Sequence, residues 1–392
     1  MPNLSRSQAW EQVLSVPGSK VSGITSDAAN IFAGTDDGVY LSSDNGANWI
    51  PRSNGLTPKI VFATTVCSNG TLLASNASGI FRSTDNGNSW AAATGFTENV
   101  HIDCIVWDRA RNFYAGDVAE GIFFSSDDGQ SWQKRNAGLP NLSVWALAVA
   151  INGEVYAGIN KYIARSADQG QHWDTVMALT QYDKVLALAS DSGQNLFAGT
   201  SLGRFLRHDH AGTTWDDIIP GPISITFSTL ALFSDTVYAG CSDHGVDFSY
   251  DDGNHWFLLN DGIPDSSTHV LGMTVRPSGY VFIGTQDGRV FRHEPPAPSS
   301  VSVSYSSNEG LTFLPVTMGE NGSVRFFLAE PGRLRIVLYD LTGRKVVDMD
   351  EHQLLAGEHS IAIDSRELPS GLYFAVVKTE NGDYSTRMAI MH

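Results

Sequence analysis

One eight-residue pattern, S-x-D-x-G-x-x-W, recurs at a nearly fixed interval and constrains this chain more than any other feature. It reads SSDNGANW (42–49), STDNGNSW (83–90), SSDDGQSW (125–132), SADQGQHW (166–173) and SYDDGNHW (249–256), and a degenerate copy, HDHAGTTW, ends at Trp215. The tryptophans at 49, 90, 132, 173, 215 and 256 are 41, 42, 41, 42 and 41 residues apart. Chance does not hold that register over such a length, and a fixed period of this size is the mark of a repeat architecture.

A second phase of the repeat counts one more unit. IFAGT, LLASN, FYAG, VYAG, LFAGT, VYAG and VFIGT place a small residue at Gly34, Ser75, Gly116, Gly158, Gly199, Gly240 and Gly284. Seven units of this length predict a seven-bladed β-propeller with four strands per blade. In the fourth unit SVWALAVA (143–150) reads as the apolar inner strand, EVYAG (154–158) as the second and KYIARS (161–166) as the third. The eight-residue pattern is then the turn into a fourth strand. Asp and Ser side chains bond nearby backbone amides in such turns, Gly supplies positive φ, and Trp buries on the order of 150–250 Å². The residues in these roles are Asp44, Gly46 and Trp49; Asp85, Gly87 and Trp90; Asp127, Gly129 and Trp132; Asp168, Gly170 and Trp173; and Asp251, Gly253 and Trp256.

The seventh unit has three strands, HVLGMTVRP, YVFIG and GRVFRH, and no fourth. AWEQV (9–13) carries the Trp that opens a fourth strand elsewhere and precedes the first inner strand, VSGITS (21–26). The ring is expected to close by pairing this N-terminal strand into the last blade, which hides two otherwise exposed edges.

These motifs resemble the BNR/Asp-box propellers, a superfamily that includes sialidases, sortilin-type receptors, xyloglucanases and photosystem II assembly-factor-like proteins. The resemblance covers residues 1–294 and implies the fold. It says little about function, because the box is a folding device on the face opposite the usual ligand site.

EPPAPSSVSVSYSS (294–307) is rich in Pro and Ser and breaks the register, so 295–310 reads as a linker. SVRFFLA, GRLRIVLYD, GRKVVDMD, EHSIAIDS, GLYFAVVKT and STRMAIM then alternate as short strands. An immunoglobulin-like β-sandwich over 311–392 is expected. Its Tyr339-Asp340, Gly343-Arg344, Gly357 and Gly371-Leu372-Tyr373 resemble the C-terminal sorting domain of the type IX secretion system. That resemblance implies handling by the type IX machinery and delivery to the medium or the outer-membrane surface of a Gram-negative cell. The alternative is an accessory sandwich module.

Charge narrows the function. With 25 basic and 42 acidic residues the formal charge is −17, a surface that repels nucleic acid. No apolar run is long enough to span a membrane. The opening MPNLSRSQAW lacks the apolar stretch of a signal peptide, so an export signal is expected upstream of it. Three cysteines suit buried thiols rather than disulfides or a metal site. No cofactor or metal is expected, and a monomer is.

The loops between second and third strands, with the starts of the inner strands, gather Asp37, His101, Asp103, Asp117, Glu120, Trp145, Tyr182, Asp243, His244, His269 and Asp287. Aromatics beside acids suit a glycan or a cationic peptide by stacking and hydrogen bonding. A sialidase needs an arginine cluster and a tyrosine–glutamate pair, whereas Arg82, Arg165, Arg207 and Arg292 fall just before the box, at the other end of the ring. The reading is an exported binding protein without catalytic residues. The alternative is a secreted glycoside hydrolase, which would need two of these carboxylates to face one another. A chaperone-like assembly factor is disfavoured by the lack of a basic patch.

Overall fold

The computed structural model describes residues 9–96, 100–180, 182–191, 193–209, 214–219, 226–233, 236–249, 252–254, 256–264, 268–294, 311–313, 323–328, 330–340, 345–349, 352–363, 368, 371–379 and 382–390. Three expectations fall outside these residues: the linker 295–310, Asp251, and the Gly343-Arg344 pair. The described residues form strands and turns, with no helix among them. The chain divides into two compact units, Ala9–Glu294, and Pro295–His392 together with Met1–Gln8.

Ala9–Glu294 is a seven-bladed β-propeller built from seven four-stranded antiparallel sheets. The inner strands of the first, third, fourth, fifth and sixth blades are Val21–Ser26, Ile102–Trp107, Val144–Val149, Val185–Ser190 and Thr226–Phe233. Thr64–Val66 serves the second blade and Val270–Val275 the seventh. Each packs against the next, and the seventh against the first. The last blade is completed by Glu11–Ser15, which pairs antiparallel with Arg289–His293, Glu11 opposite Arg292 and Ser15 opposite Arg289. Trp10 anchors this closure: it is 3% exposed, and its indole N–H donates to the Leu259 carbonyl at 2.5 Å.

The small residue of each second strand has a packing cause. A Cβ on Gly116 would lie 2.6 Å from Val144 Cγ1 of the next inner strand, and one on Gly284 would lie 2.5 Å from Val21 Cγ1 across the closure. The neighbouring blade's branched side chain occupies the space a larger residue would need. Ser75, the one hydroxyl in the series, fits by donating to the Ile102 carbonyl of the next blade at 2.8 Å.

The box turns share one hydrogen-bond pattern. In the first, Ser42 Oγ accepts from Gly46 N at 2.8 Å and donates to Asp44 Oδ1, which also accepts from Asn48 N. Ser83, Ser125 and Ser166 repeat it with Asp85, Asp127 and Asp168. The hydrogen bonds from Ser89 hold the Asp85 carboxyl down at about 2. The residue before each box glycine also has positive φ: Asn45, Asn86, Asp128, Gln169 and Asp252 lie between 57° and 63°. Asn and Asp tolerate that region better than most side chains.

In the second unit, Leu311–Phe313, Ser323–Leu328 and Gly357–Ala362 form one sheet. Gly332–Asp340, Lys345–Asp348, His352–Leu354, Gly371–Thr379 and Gly382–Ile390 form the other. The two share one core, in which Phe326 and Leu328 meet Leu334, Ile336, Leu338, Tyr373 and Val377. Asp340 stands opposite Tyr373 in the register, so two motif segments far apart in sequence become cross-strand neighbours.

Cys67 and Cys241 are buried and Cys104 is partly exposed, a correction to three uniformly buried residues that follows from its place at an irregularity in the inner strand. Burial nonetheless pushes the Cys104 and Cys241 thiols well above their usual range.

Candidate functional site

The inner strands share one irregularity at the loop end of the channel. Register slips by one residue between Val21 and Gly23, Ile102 and Cys104, Val144 and Ala146, Val185 and Ala187, Phe227 and Thr229, and Val270 and Gly272. Such a β-bulge leaves one residue unpaired and re-aims its side chain. The residues so placed are Ser22, Asp103, Trp145, Leu186, Ser228 and Leu271, each partly exposed and flanked by a buried neighbour. In the second blade Phe62 holds the same place, with its N–H on the Ser75 carbonyl while Ser75 N–H reaches Ala63 O.

The smaller residue that follows is required by the next blade. A Cβ on Gly23 would meet Thr64 N of the adjacent inner strand at 2.7 Å. The sequence signal is therefore an apolar residue, any residue, then a small one: VSG, VFA, IDC, VWA, VLA, FST and VLG, once per repeat. Of this ring, sequence reasoning singled out only Asp103 and Trp145. The other five are not chemically conspicuous, and only their shared phase marks them.

Around Asp103 the third blade forms a knot. His101 Nε2 lies 3.1 Å from Asp103 Oδ1, and the His101 ring packs on Phe62 with centroids 4.3 Å apart. Burial holds the Asp103 carboxyl above its ordinary range; His101 opposes this and the charge of Asp117 adds to it. Asp117 itself is 1% exposed and accepts from the backbone N–H groups of His101, Ala119 and Glu120. It folds its loop, and its oxygens are taken.

Two further groups sit on the same face. Trp145 donates to Asn160 Oδ1 at 2.8 Å and carries the Lys184 ammonium 4.3 Å from its ring centroid. Tyr182, two residues before Lys184, is 81% exposed. In the sixth and seventh blades Asp243 pairs with His269, and His244 lies 3.6 Å from Asp247. Burial pushes the Asp247 carboxyl up to about 6, against the pull of His244 and a contact with Cys241.

The other three expected residues are tied locally. Asp37 accepts from the Tyr40 hydroxyl at 3.1 Å and pairs with Lys59. Glu120 pairs with Lys134 of the outer strand. Asp287 pairs with Arg289 and accepts from Thr285. The structure thus brings His101, Asp103 and Asp117 together, and separately Asp243 with His269, without assembling all eleven. Among the described residues, no group of three or more His, Cys, Asp or Glu is arranged to hold a metal ion.

Residues 321–391 match the family described as secretion system C-terminal sorting domain. No curated protein sequence matches the chain. The extracellular domain of the BT4673 two-component system of B. thetaiotaomicron superposes with a TM-score of 0.63 at 15% identity, over 83% of this chain and 45% of its own. PorZ, an essential surface component of the type IX secretion system of Porphyromonas gingivalis, gives 0.56 at 14% identity, over 97% of this chain and 60% of its own. YCF48 bound to D1 peptide gives 0.57 at 16%, over 73% of this chain and 95% of its own. The chain spans about half the length of the BT4673 domain, and at these identities the likeness shows the fold alone.

Fold and match together define a class: β-propeller proteins carrying a type IX C-terminal sorting domain. The protein is exported to the surface of, or the medium around, a Gram-negative bacterium. Among the described residues, no helix is long and apolar enough to cross a membrane.

Proposed function

We propose that the propeller is a non-catalytic binding module displayed outside the cell, and that its loop-side mouth engages a protein or peptide ligand through a cationic side chain. The observation that carries this reading is Asp103, re-aimed by a bulge on the blade between those bearing Phe62 and Trp145. A carboxylate beside aromatic surfaces suits an ammonium or guanidinium group, which gains from charge and from the ring faces together. The Lys184 ammonium over Trp145 is an internal instance of that contact. The peptide held by YCF48 is a precedent for a propeller of this kind, although at low identity.

The rival hydrolase needs two accessible carboxylates across a cleft. Asp117 is committed to three backbone donors, which favours the binding reading. We further take 1–294, 295–310 and 311–392 as propeller, linker and immunoglobulin-like sorting domain, and the repeated turns as Asp boxes. The test is a peptide array probed with the full chain, followed by titration of the best binder. Asp103→Asn and Trp145→Ala should each weaken binding about tenfold, the loss expected for one charge-assisted or cation–π contact. Turnover on a glycan panel that is lost on mutating Asp103 or Asp243 would overturn the reading.

A further inference from the structure

At the opposite end of the ring, where the box turns lie, the hairpins joining first and second strands in the third, fourth and fifth blades border an open cavity of about 660 Å³. Its size falls within the range of small-molecule sites. Three repeats build it, so no single repeat displays it.

The charges on its walls are unequally committed. Asp108 accepts from Asn112 N at 2.9 Å, from Asn112 Nδ2 and from the Tyr114 hydroxyl. Asp191 accepts from Asn195 N and Nδ2, both at 2.8 Å. These carboxylates hold their own hairpins. Arg109, by contrast, is exposed and makes no ion pair or hydrogen bond with any described residue. Trp107 has its indole N–H on the Val66 carbonyl at 3.1 Å, so what it offers the cavity is ring surface. The Asn152 and Gln169 side chains supply amides at the rim.

Each ligand class meets this wall differently. An anion faces two fixed carboxylates on a chain of formal charge −17. A cation meets the Arg109 guanidinium, and the carboxylates that would hold it already serve Asn112, Tyr114 and Asn195. A neutral polyol meets donors from the guanidinium and amides for its hydroxyls and an indole face for its C–H surface. We propose that this cavity is a second binding site, specific for neutral oligosaccharide and independent of the loop-side mouth.

Isothermal titration of the full chain with cellohexaose, maltohexaose and mannohexaose, and with hexagalacturonate as the charged comparison, tests this. At least one neutral hexasaccharide should bind. Arg109→Ala should weaken it about tenfold, as loss of a charged hydrogen-bond donor does. Ala110→Trp, which fills the cavity from an exposed position, should abolish it. Asp103→Asn should leave it unchanged, which separates this site from the mouth. Failure of all three neutral sugars, equal or tighter binding of the uronate, or wild-type binding by both cavity variants would overturn the proposal.

Discussion

Arg82 in the second blade grips Asp128 in the box turn of the third: Nε donates to the Asp128 carbonyl at 2.7 Å and Nη2 to Oδ2 at 2.6 Å. Arg207 reaches the Asp252 carbonyl at 3.3 Å in the same way, and Arg292 reaches Asn45 O at 2.7 Å across the closure. The acceptor is each time the positive-φ residue before the box glycine. These arginines, which lie at the box end and so cannot grip a carboxylate in the mouth, are staples between blades. Arg82→Met should cost about 1–3 kcal/mol, since it leaves the Asp128 carbonyl without its donor and removes the charged partner of a largely covered carboxylate that keeps Thr71 and Asn69. Asp128→Asn, which keeps the carbonyl bond, should cost less. Urea unfolding midpoints of the two variants check the order; equal losses would mean the carbonyl bond contributes nothing.

Trp10 places a similar demand on the closure. It is the buried anchor of the only strand in its blade that comes from the other end of the propeller sequence. Trp10→Ala should cost about 3–5 kcal/mol, the usual range for a buried tryptophan. Removing residues 1–14 should go further, baring the edge of Arg289–His293. Lower solubility and a lower Tm are the expected readouts, and an unchanged melting curve would refute the closure's importance.

Blade count and closure were legible because each repeat restates them: Trp49 through Trp256 mark the period, and Trp10 supplies the missing turn of the count. The site was legible only in part. Asp103 and Trp145 stood out as chemistry on an apolar strand, but Ser22, Leu186 and Leu271 are ordinary residues, and a bulge is a property of pairing between strands rather than of composition. Asp117 looked like a candidate for the opposite reason. Its carboxylate is conspicuous in sequence, yet the backbone of its own loop consumes it. The box-end cavity was not legible at all, since Trp107, Ile151 and Asp191 converge from three hairpins.

Gly116 tests the packing between blades. Gly116→Val would drive a branched side chain into Val144 and the Cys104 sulfur, both 2.6 Å from an added Cβ. Overpacking of this kind should cost about 1–3 kcal/mol. Ser75→Ala, which adds no volume, removes the bond to Ile102 O and the acceptor of the Ala63 N–H, and should cost about 1–2 kcal/mol. Thermal unfolding should therefore show the larger drop for Gly116→Val.

Asp247 gives stability a pH dependence. Its carboxyl, ordinarily near 3.8, is raised to about 6 by burial in the folded chain, with His244 at 3.6 Å and Cys241 at 3.7 Å as its neighbours. Between roughly pH 4 and 6 the folded state therefore holds a proton that the unfolded state has released, and stability falls as pH rises through that window. The loss should reach about 1–3 kcal/mol, because a tenfold difference in proton affinity between the folded and unfolded states is worth about 1.4 kcal/mol. Asp247→Asn, which is never charged, should remove this slope. Chemical unfolding of both proteins at pH 4, 5, 6 and 7 measures it, and parallel curves would rule out Asp247 as the cause.

The sorting assignment makes its own demand on the C-terminal unit. Residues 321–391 carry the family match, and the unit has its own hydrophobic core around Ile336, Leu338 and Tyr373, while the blades have theirs. A signal that acts on folded cargo has no need to stabilise that cargo, and a unit with its own core can fold apart from its neighbour. A chain ending at Glu294 should therefore fold and melt much like the propeller in the full protein. In a type IX-competent cell supplied with an N-terminal export signal, the full chain should reach the surface or the medium, and the truncated one should accumulate in the periplasm. Tyr373→Ser separates the two functions within the full chain. It should unfold the sorting domain, since Tyr373 is 4% exposed in its core, and block surface delivery while leaving the propeller's melting transition in place. Surface delivery of the truncated chain would show that residues 321–391 are not the export determinant.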